Sequence, residues 1–418
     1  MSVTLPIYLD NHATTRVDPR VVEAMLPYFI EKFGNSGSVN HSFGWDARDA
    51  VEAARKSIAS AIGADAREIV FTSGATESNN LAIRGLAERQ RRSVPGGGLR
   101  GRNHIVSVTT EHKAVLDPLR RLARRDFDVT LLDVEQAGSP RAGWLDPQKV
   151  GAAIRDDTLL VSVMLANNEF GIIQPIQEIA AICRERNVPL HCDATQAIGK
   201  IPVDVRKLGV DLLSFSGHKI YGPKGIGALF VRRCAPPVRL EALIDGGGQE
   251  GGLRSGTLNV PGIVGLATAL ELCSREMAEQ MARLATLRQR LWEGLQREVS
   301  DVVLNGPEFG LDPRLRLPGN LNCSFPLVNG EALMISMKTV AVSSGSACTS
   351  ANPEPSHVLL ALGLGEDLTR ASLRFGIGRF NMVEEIDYAV AAVAENVHRL
   401  RKLSSLAQSA ESQVQSAQ

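Results

Sequence analysis

DLLSFSGHKIYGPKGIGALFVR, Asp211–Arg232, carries the pattern from which the architecture can be read. Two short apolar runs, DLLSFS and GALFVR, flank a turn rich in glycine and proline. Runs of this length, rich in apolar residues and bounded by turn signals, read as strands buried on both faces. The same texture returns in IVFTS from Ile69, HIVSVT from His104, VTLLD from Val129, LLVSVML from Leu159 and VPLHCD from Val188, with helical stretches between most of them. Ahead of the first, Val51, Ala54, Ile58 and Ile62 recur at helical spacing and stop at Gly63. Alternating helices and continuously apolar strands predict an α/β fold, a mostly parallel sheet flanked by helices, over residues 16–260.

After GGGQEGG (Gly246–Gly252) and Pro261 the texture changes to a long helical region running towards Arg297, then short strands, then a helical end near Glu384–Leu403. This predicts a smaller α+β domain built from residues 261–403 together with residues 1–15. SVPGGGLRG (Ser93–Gly101) reads as a surface loop, and the polar, small-residue segment 404–418 as a disordered tail. A length of 418 residues suits two domains.

Lys+Arg and Asp+Glu both total 46, so no net field favours nucleic acid or an anionic membrane surface. Asp10 arrives too early for a signal-peptide core, and no apolar run approaches the roughly 20 residues of a membrane helix. A soluble cytoplasmic protein without nucleic-acid or membrane partners is expected. The six cysteines are scattered, with no C-x-x-C pair and no Cys/His cluster at zinc spacing, which argues against a disulfide framework and a structural metal.

Chemistry gathers where the strands end, because open α/β sheets bind ligands outside the carboxyl ends of their strands. Lys219 follows the strand ending at Ser216, and a lysine in such a cleft can form a Schiff base with an aldehyde, the chemistry of pyridoxal phosphate. Asp193 closes VPLHCD at the same edge, where an acid can hold a pyridine nitrogen protonated; alone, a strand-end Asp is more often a helix cap. In SGATESNN a strand runs through Ser73, Gly74, Ala75 and Thr76 into a helix, whose free N–H groups suit a phosphate. His112 follows another strand and could stack on a flat ring and exchange protons, and Asn167 holds the equivalent place on a further one. Each signal is weak singly; their convergence on one crevice is the stronger observation.

In order, NHATT, SGATESNN, TEHKAVLD, NNEFG, DATQ, SFSGHKIYGPKG, RSGT, SSGSACTS and RFGIGR resemble the motif series of the pyridoxal-phosphate-dependent cysteine desulfurases of the NifS/IscS group, in the class V aminotransferase superfamily. The resemblance spans about Tyr8 to Leu403. It implies a homodimer of the fold-type I architecture of pyridoxal-phosphate-dependent transferases. It also implies Lys219 as the cofactor lysine, Asp193 on the ring nitrogen, Gln196 on the ring hydroxyl and His112 stacked on the ring, with Asn167 beside the cofactor and substrate. Ala75, Thr76, Ser216 and His218 would hold the phosphate, Thr257 would reach it from the other subunit, and Arg374 would clamp the substrate carboxylate.

The resemblance also gives Cys348 a task. Its thiolate would take sulfur from L-cysteine, leaving L-alanine and a persulfide to be passed to an iron–sulfur scaffold or another acceptor, with tRNA thiolation as a further outlet. No resident metal is implied, Cys348 being the only contact offered to a transferred iron–sulfur cluster. The Ser/Gly-rich stretch around it, Val342 to Pro355, is long enough to reach out of a cleft. Cys183, Cys192, Cys273 and Cys323 fall within helix or strand patterns and read as packing, and Cys234 as a surface thiol. The tail lacks the aromatic residues with which housekeeping members dock a scaffold. A selenocysteine lyase, a class V aminotransferase and an idle assembly partner are the rival readings.

Overall fold

The spacing ahead of Gly63 becomes the helix Ser42–Ala61, which buries Val51, Ala54 and Ile58. It ends at Gly63, whose φ of 69° is the left-handed conformation that closes helices. The computed structural model describes residues 3–92, 101–310, 312–344 and 354–416. The Gly-rich stretch 93–100 and the segment 345–353, which carries Cys348, lie outside them.

In chain order the strands are β1 (Ile7–Tyr8), β2 (Ile69–Thr72), β3 (His104–Val108), β4 (Asp128–Leu132), β5 (Thr158–Ser162), β6 (Leu190–Asp193), β7 (Leu212–Ser216), β8 (Gly227–Val231), β9 (Val303–Leu304), β10 (Asn320–Ser324), β11 (Val340–Ala341) and β12 (Ser372–Gly376). A seven-stranded sheet has the order β2-β8-β7-β6-β5-β3-β4. Its pairs are parallel except those of β8, which runs antiparallel to both β7 and β2. The connection from β7 to β8 is a Gly/Pro turn with no room for the crossover helix that parallel strands require. Two reversals leave β2 parallel to β7, so the carboxyl ends of β2, β3, β5, β6 and β7 share one edge. Every strand of the sheet is buried along its length save the edge strand β4.

A second core forms around the antiparallel sheet β12-β10-β9, where Leu321, Phe325, Leu373 and Phe375 pack against Ile386, Val393 and Val397 of the helix Val383–Ser416. The helix Val260–Glu298 serves both cores. Its Ile263, Leu266 and Leu270 belong to the large one and its Leu284, Leu287, Leu291 and Leu295 to the small one. Where composition predicts a disordered tail, the backbone continues as helix through Ser416; from Val383 onward the sequence contains no glycine or proline to end it.

The N-terminal chain stitches the two cores. Strand β1 pairs with β11, and Ile7 and Leu9 enter the small core. Residues 10–15 then form a strap: Asn11 N donates to Gly376 O at 3.1 Å, and Thr15 N to His218 O at 2.9 Å. The strap lies against β12 because Gly376 has no side chain there; a Cβ would stand 2.7 Å from His12 N and 2.8 Å from Asn11 N.

Candidate active site

A cavity of about 1030 Å³ opens at the carboxyl edge of the large sheet. Its wall includes the sequence-derived residues Ala75, Thr76, His112, Asp193, Gln196, Ser216, His218, Lys219 and Arg374.

Lys219 ends the single 3₁₀ turn Gly217–Lys219 that follows β7. Its Nζ donates to the strap carbonyls of His12 at 2.6 Å and Ala13 at 2.5 Å. Burial, then the Arg374 charge, brings its pKa down to about 8. The amine is thus partly free of its proton near neutrality, the state in which it is a nucleophile. His218, beside it, is lowered to about 4 by burial and by Lys219, and its Nδ1 lies 3.1 Å from Thr14 Oγ1.

Asp193 sits at the end of β6 with both oxygens engaged: Asn79 Nδ2 donates to Oδ2 at 2.7 Å and Thr195 N to Oδ1 at 2.9 Å. After β2, the helix Ala75–Arg92 begins directly on the cavity, so its first-turn N–H groups and positive end face that space. Gly227 lets the start of β8 pass beneath this turn, since a Cβ there would meet Gly74 Cα at 2.7 Å. Glu77, in the first turn, is held below the usual carboxylate range despite burial by the Arg254 guanidinium 2.9 Å away and by Ser73.

His112 caps the helix Lys113–Ala123, its Nδ1 accepting from Ala114 N at 3.0 Å. That bond places the neutral ring's proton on Nε2, and burial lowers its pKa so that the neutral form prevails. Arg374, on β12, donates to Asp10 Oδ1 at 3.0 Å and to Asn168 O at 3.2 Å.

Two expected residues stand apart. Asn167 is fully buried but does not line the cavity: its Nδ2 donates to Thr110 O at 3.0 Å and its Oδ1 accepts from Glu169 N at 2.8 Å. It braces the turn that carries Asn168 to Arg374. Thr257 is exposed and is absent from the wall of the cavity. Cys348 lies outside the described residues, but both flanks of its segment reach the site. Ser343 pairs with Arg374 through their backbones, and Glu354, Pro355, Ser356 and His357 line the cavity. The other cysteines match the packing reading: Cys183, Cys192, Cys273 and Cys323 are buried free thiols whose pKa values burial raises, and Cys234 is exposed.

Sequence reasoning missed several groups. His12, Asp10, Lys200, Glu111 and Glu169 converge on the site from segments without periodicity. Glu169 is raised to about 7 by burial and accepts from Ser356 Oγ at 2.5 Å. Glu111 is raised well above the usual range by burial and by Asp193. Lys200 is lowered to about 7 by burial and by Lys219. The signals that could have found them are the NHATT, TEHKAVLD and NNEFG motifs and the four-residue step from Gln196 to Lys200.

The family model "Aminotransferase class-V" matches residues 7–389. The chain belongs to the class-V aminotransferase family. Among relatives of this class-V member, the cysteine desulfurase IscS of Anaeromyxobacter dehalogenans (strain 2CP-C) is 56% identical over 402 residues, covering 96% of this chain and 95% of that protein. Of solved structures, a NifS-like protein is 37% identical with a TM-score of 0.84 over 95% of this chain and all of its own. "SspA in complex with cysteine" is likewise 37% identical, with a TM-score of 0.76 over 90% of this chain and all of its own. The fold is that of the fold-type I pyridoxal-phosphate enzymes.

Proposed function

We infer that this chain is a pyridoxal-phosphate-dependent cysteine desulfurase, converting L-cysteine to L-alanine and carrying the sulfur on Cys348. The observation that carries the reading is the meeting in one cavity of a lysine with a lowered pKa, a strand-end carboxylate and a helix N-terminus, in a chain 56% identical to a cysteine desulfurase.

The cavity fits a flat pyridine aldehyde bearing a phosphate. Lys219 would hold the aldehyde, Asp193 the ring nitrogen and Gln196 the ring hydroxyl, with His112 against the ring. The N–H groups of Ala75 and Thr76, with Ser216 and His218, would hold the phosphate. Bound there, the cofactor supplies an electron sink that loosens bonds at the substrate's α and β carbons. Arg374 would orient the substrate by its carboxylate, and Asn167 would act at one remove, through the turn of Asn168. Lys219 is suited to moving protons at the substrate's Cα, its amine being poised near neutrality.

Cys348 would then act as nucleophile: its thiolate attacks the substrate sulfur, an S–S bond forms, and the Cβ–S bond breaks with its electron pair left on carbon, which a proton completes to alanine. Cys348 is five residues beyond Ser343, a tether of at most about 18 Å when extended, so it can visit the cavity from its anchored flank. Exposed Thr257 suits donation to the cavity of a second copy, which makes a homodimer the working assembly. The outer sulfur of the persulfide would pass to a nucleophile of an iron–sulfur scaffold or a tRNA-thiolating acceptor in the cytoplasm, returning Cys348 as a thiolate.

Incubation with L-cysteine and a reductant tests this directly. Alanine and sulfide should appear in equal yield, and Cys348→Ala should abolish both. An aminotransferase would instead consume a keto acid and ignore the Cys348→Ala change.

A further inference from the structure

Behind Lys219 stands a second amine to which this reading gives no task. Lys200 Nζ donates to Gln196 Oε1 at 2.7 Å. His12 Nδ1 lies 3.0 Å from the same oxygen and 3.5 Å from Nζ, and Gln196 Nε2 donates to His12 O at 2.9 Å. His12 itself is buried and its Nε2 has no partner among the described residues. The amide is therefore fixed in one orientation, its oxygen towards Lys200 and one of its N–H groups on the strap, which leaves the other N–H for a ligand. An ammonium on an amide oxygen draws electron density from the nitrogen and strengthens the remaining N–H as a donor.

The geometry points to Lys200 as a positioning residue that acts through the Gln196 amide: its charge stabilises an anionic ring oxygen on the bound cofactor and lowers the pH at which the Lys219–cofactor linkage gives up its proton. The assignment rests on the proposed function, since Gln196 must meet that ring oxygen. A like charge close to the linkage acts in the same direction. The groups facing Lys200 are Lys219, Arg374, His12 and the Cys273 thiol. Burial first, and then Lys219, sets its pKa at about 7, so its charge is present below neutrality and fades above it.

The test is a titration of the bound cofactor's visible absorption band, from about pH 5 to about pH 9, in the wild-type holoprotein, Lys200→Met and Lys200→Arg. Lys200→Met should raise the midpoint by about half a pH unit to one unit, and Lys200→Arg should leave it near wild type. Introduced into Gln196→Ala, the Lys200→Met change should shift the midpoint much less. An unmoved midpoint in a cofactor-loaded Lys200→Met protein overturns the assignment, as does a shift of full size in the Gln196→Ala background. If Lys200→Met does not fold, Lys200→Gln is read by the same criteria. A wild-type protein that takes up no cofactor would refute the proposed function instead, which keeps the two failures distinct.

Discussion

Replacing Arg374 with lysine tests the substrate clamp. Arg374 is 3% exposed, with one Nη on Asp10 at 3.0 Å and the other on Asn168 O at 3.2 Å, while its Nε is buried without a partner among the described residues. A carboxylate ligand would take the Nε–H and a neighbouring Nη hydrogen, the paired bonds a planar fork allows. Lysine keeps the positive charge beside Asp10 but has no second donor in that plane. The loss is one charge-assisted hydrogen bond, about 1.5–3 kcal/mol, or about 12- to 140-fold in affinity. Steady-state alanine production should show KM for L-cysteine raised by about that factor, with kcat within about threefold of wild type. A KM that does not move, with or without a fall in kcat, would refute the clamp.

Two further outcomes follow from the same geometry. Glu169 has a folded pKa near 7 against an ordinary 4.5, so the native state holds its proton more tightly than the unfolded chain does. That contribution favours folding at low pH and is lost as pH rises from 4.5 through 7, a swing of about 3 kcal/mol. Glu169→Gln should remove the swing, so its unfolding free energy, measured in urea at several pH values, should gain on wild type as pH rises; parallel curves would contradict this. Gly376→Ala sets a Cβ 2.7 Å from His12 N and must push the strap off β12. It should cost about 1–3 kcal/mol of stability and weaken cofactor retention, and an unchanged thermal midpoint would show that the strap gives way freely.

The sheet was legible because its strands are buried on both faces, which makes them apolar runs that no amphipathic helix imitates. The strand-end residues Lys219, Asp193 and His112 were legible for a related reason: topology alone carries the ends of parallel strands to one edge. His12, Asp10 and Lys200 were not. They sit on extended or turn segments with no periodicity, and their place in the site depends on contacts across a long sequence separation, Asp10 with Arg374 and His12 with Gln196. Asn167 shows what a strand-end position leaves open: it fixes where the backbone lies, while the amide hydrogen-bonds to Thr110 O and Glu169 N. The helix Val260–Glu298 shows the same limit at larger scale, since one unbroken pattern of helical spacing does not reveal that its two halves enter different cores.

In the proposed reaction, sulfur leaves L-cysteine by way of Cys348. Mass spectrometry of the peptide spanning Ser343–His357, after brief exposure of the protein to L-cysteine without reductant, follows that sulfur. One additional sulfur atom is expected on Cys348, removed by a thiol reductant and never formed in Lys219→Ala. Turnover of L-cysteine to alanine with that peptide always at its unmodified mass would contradict it.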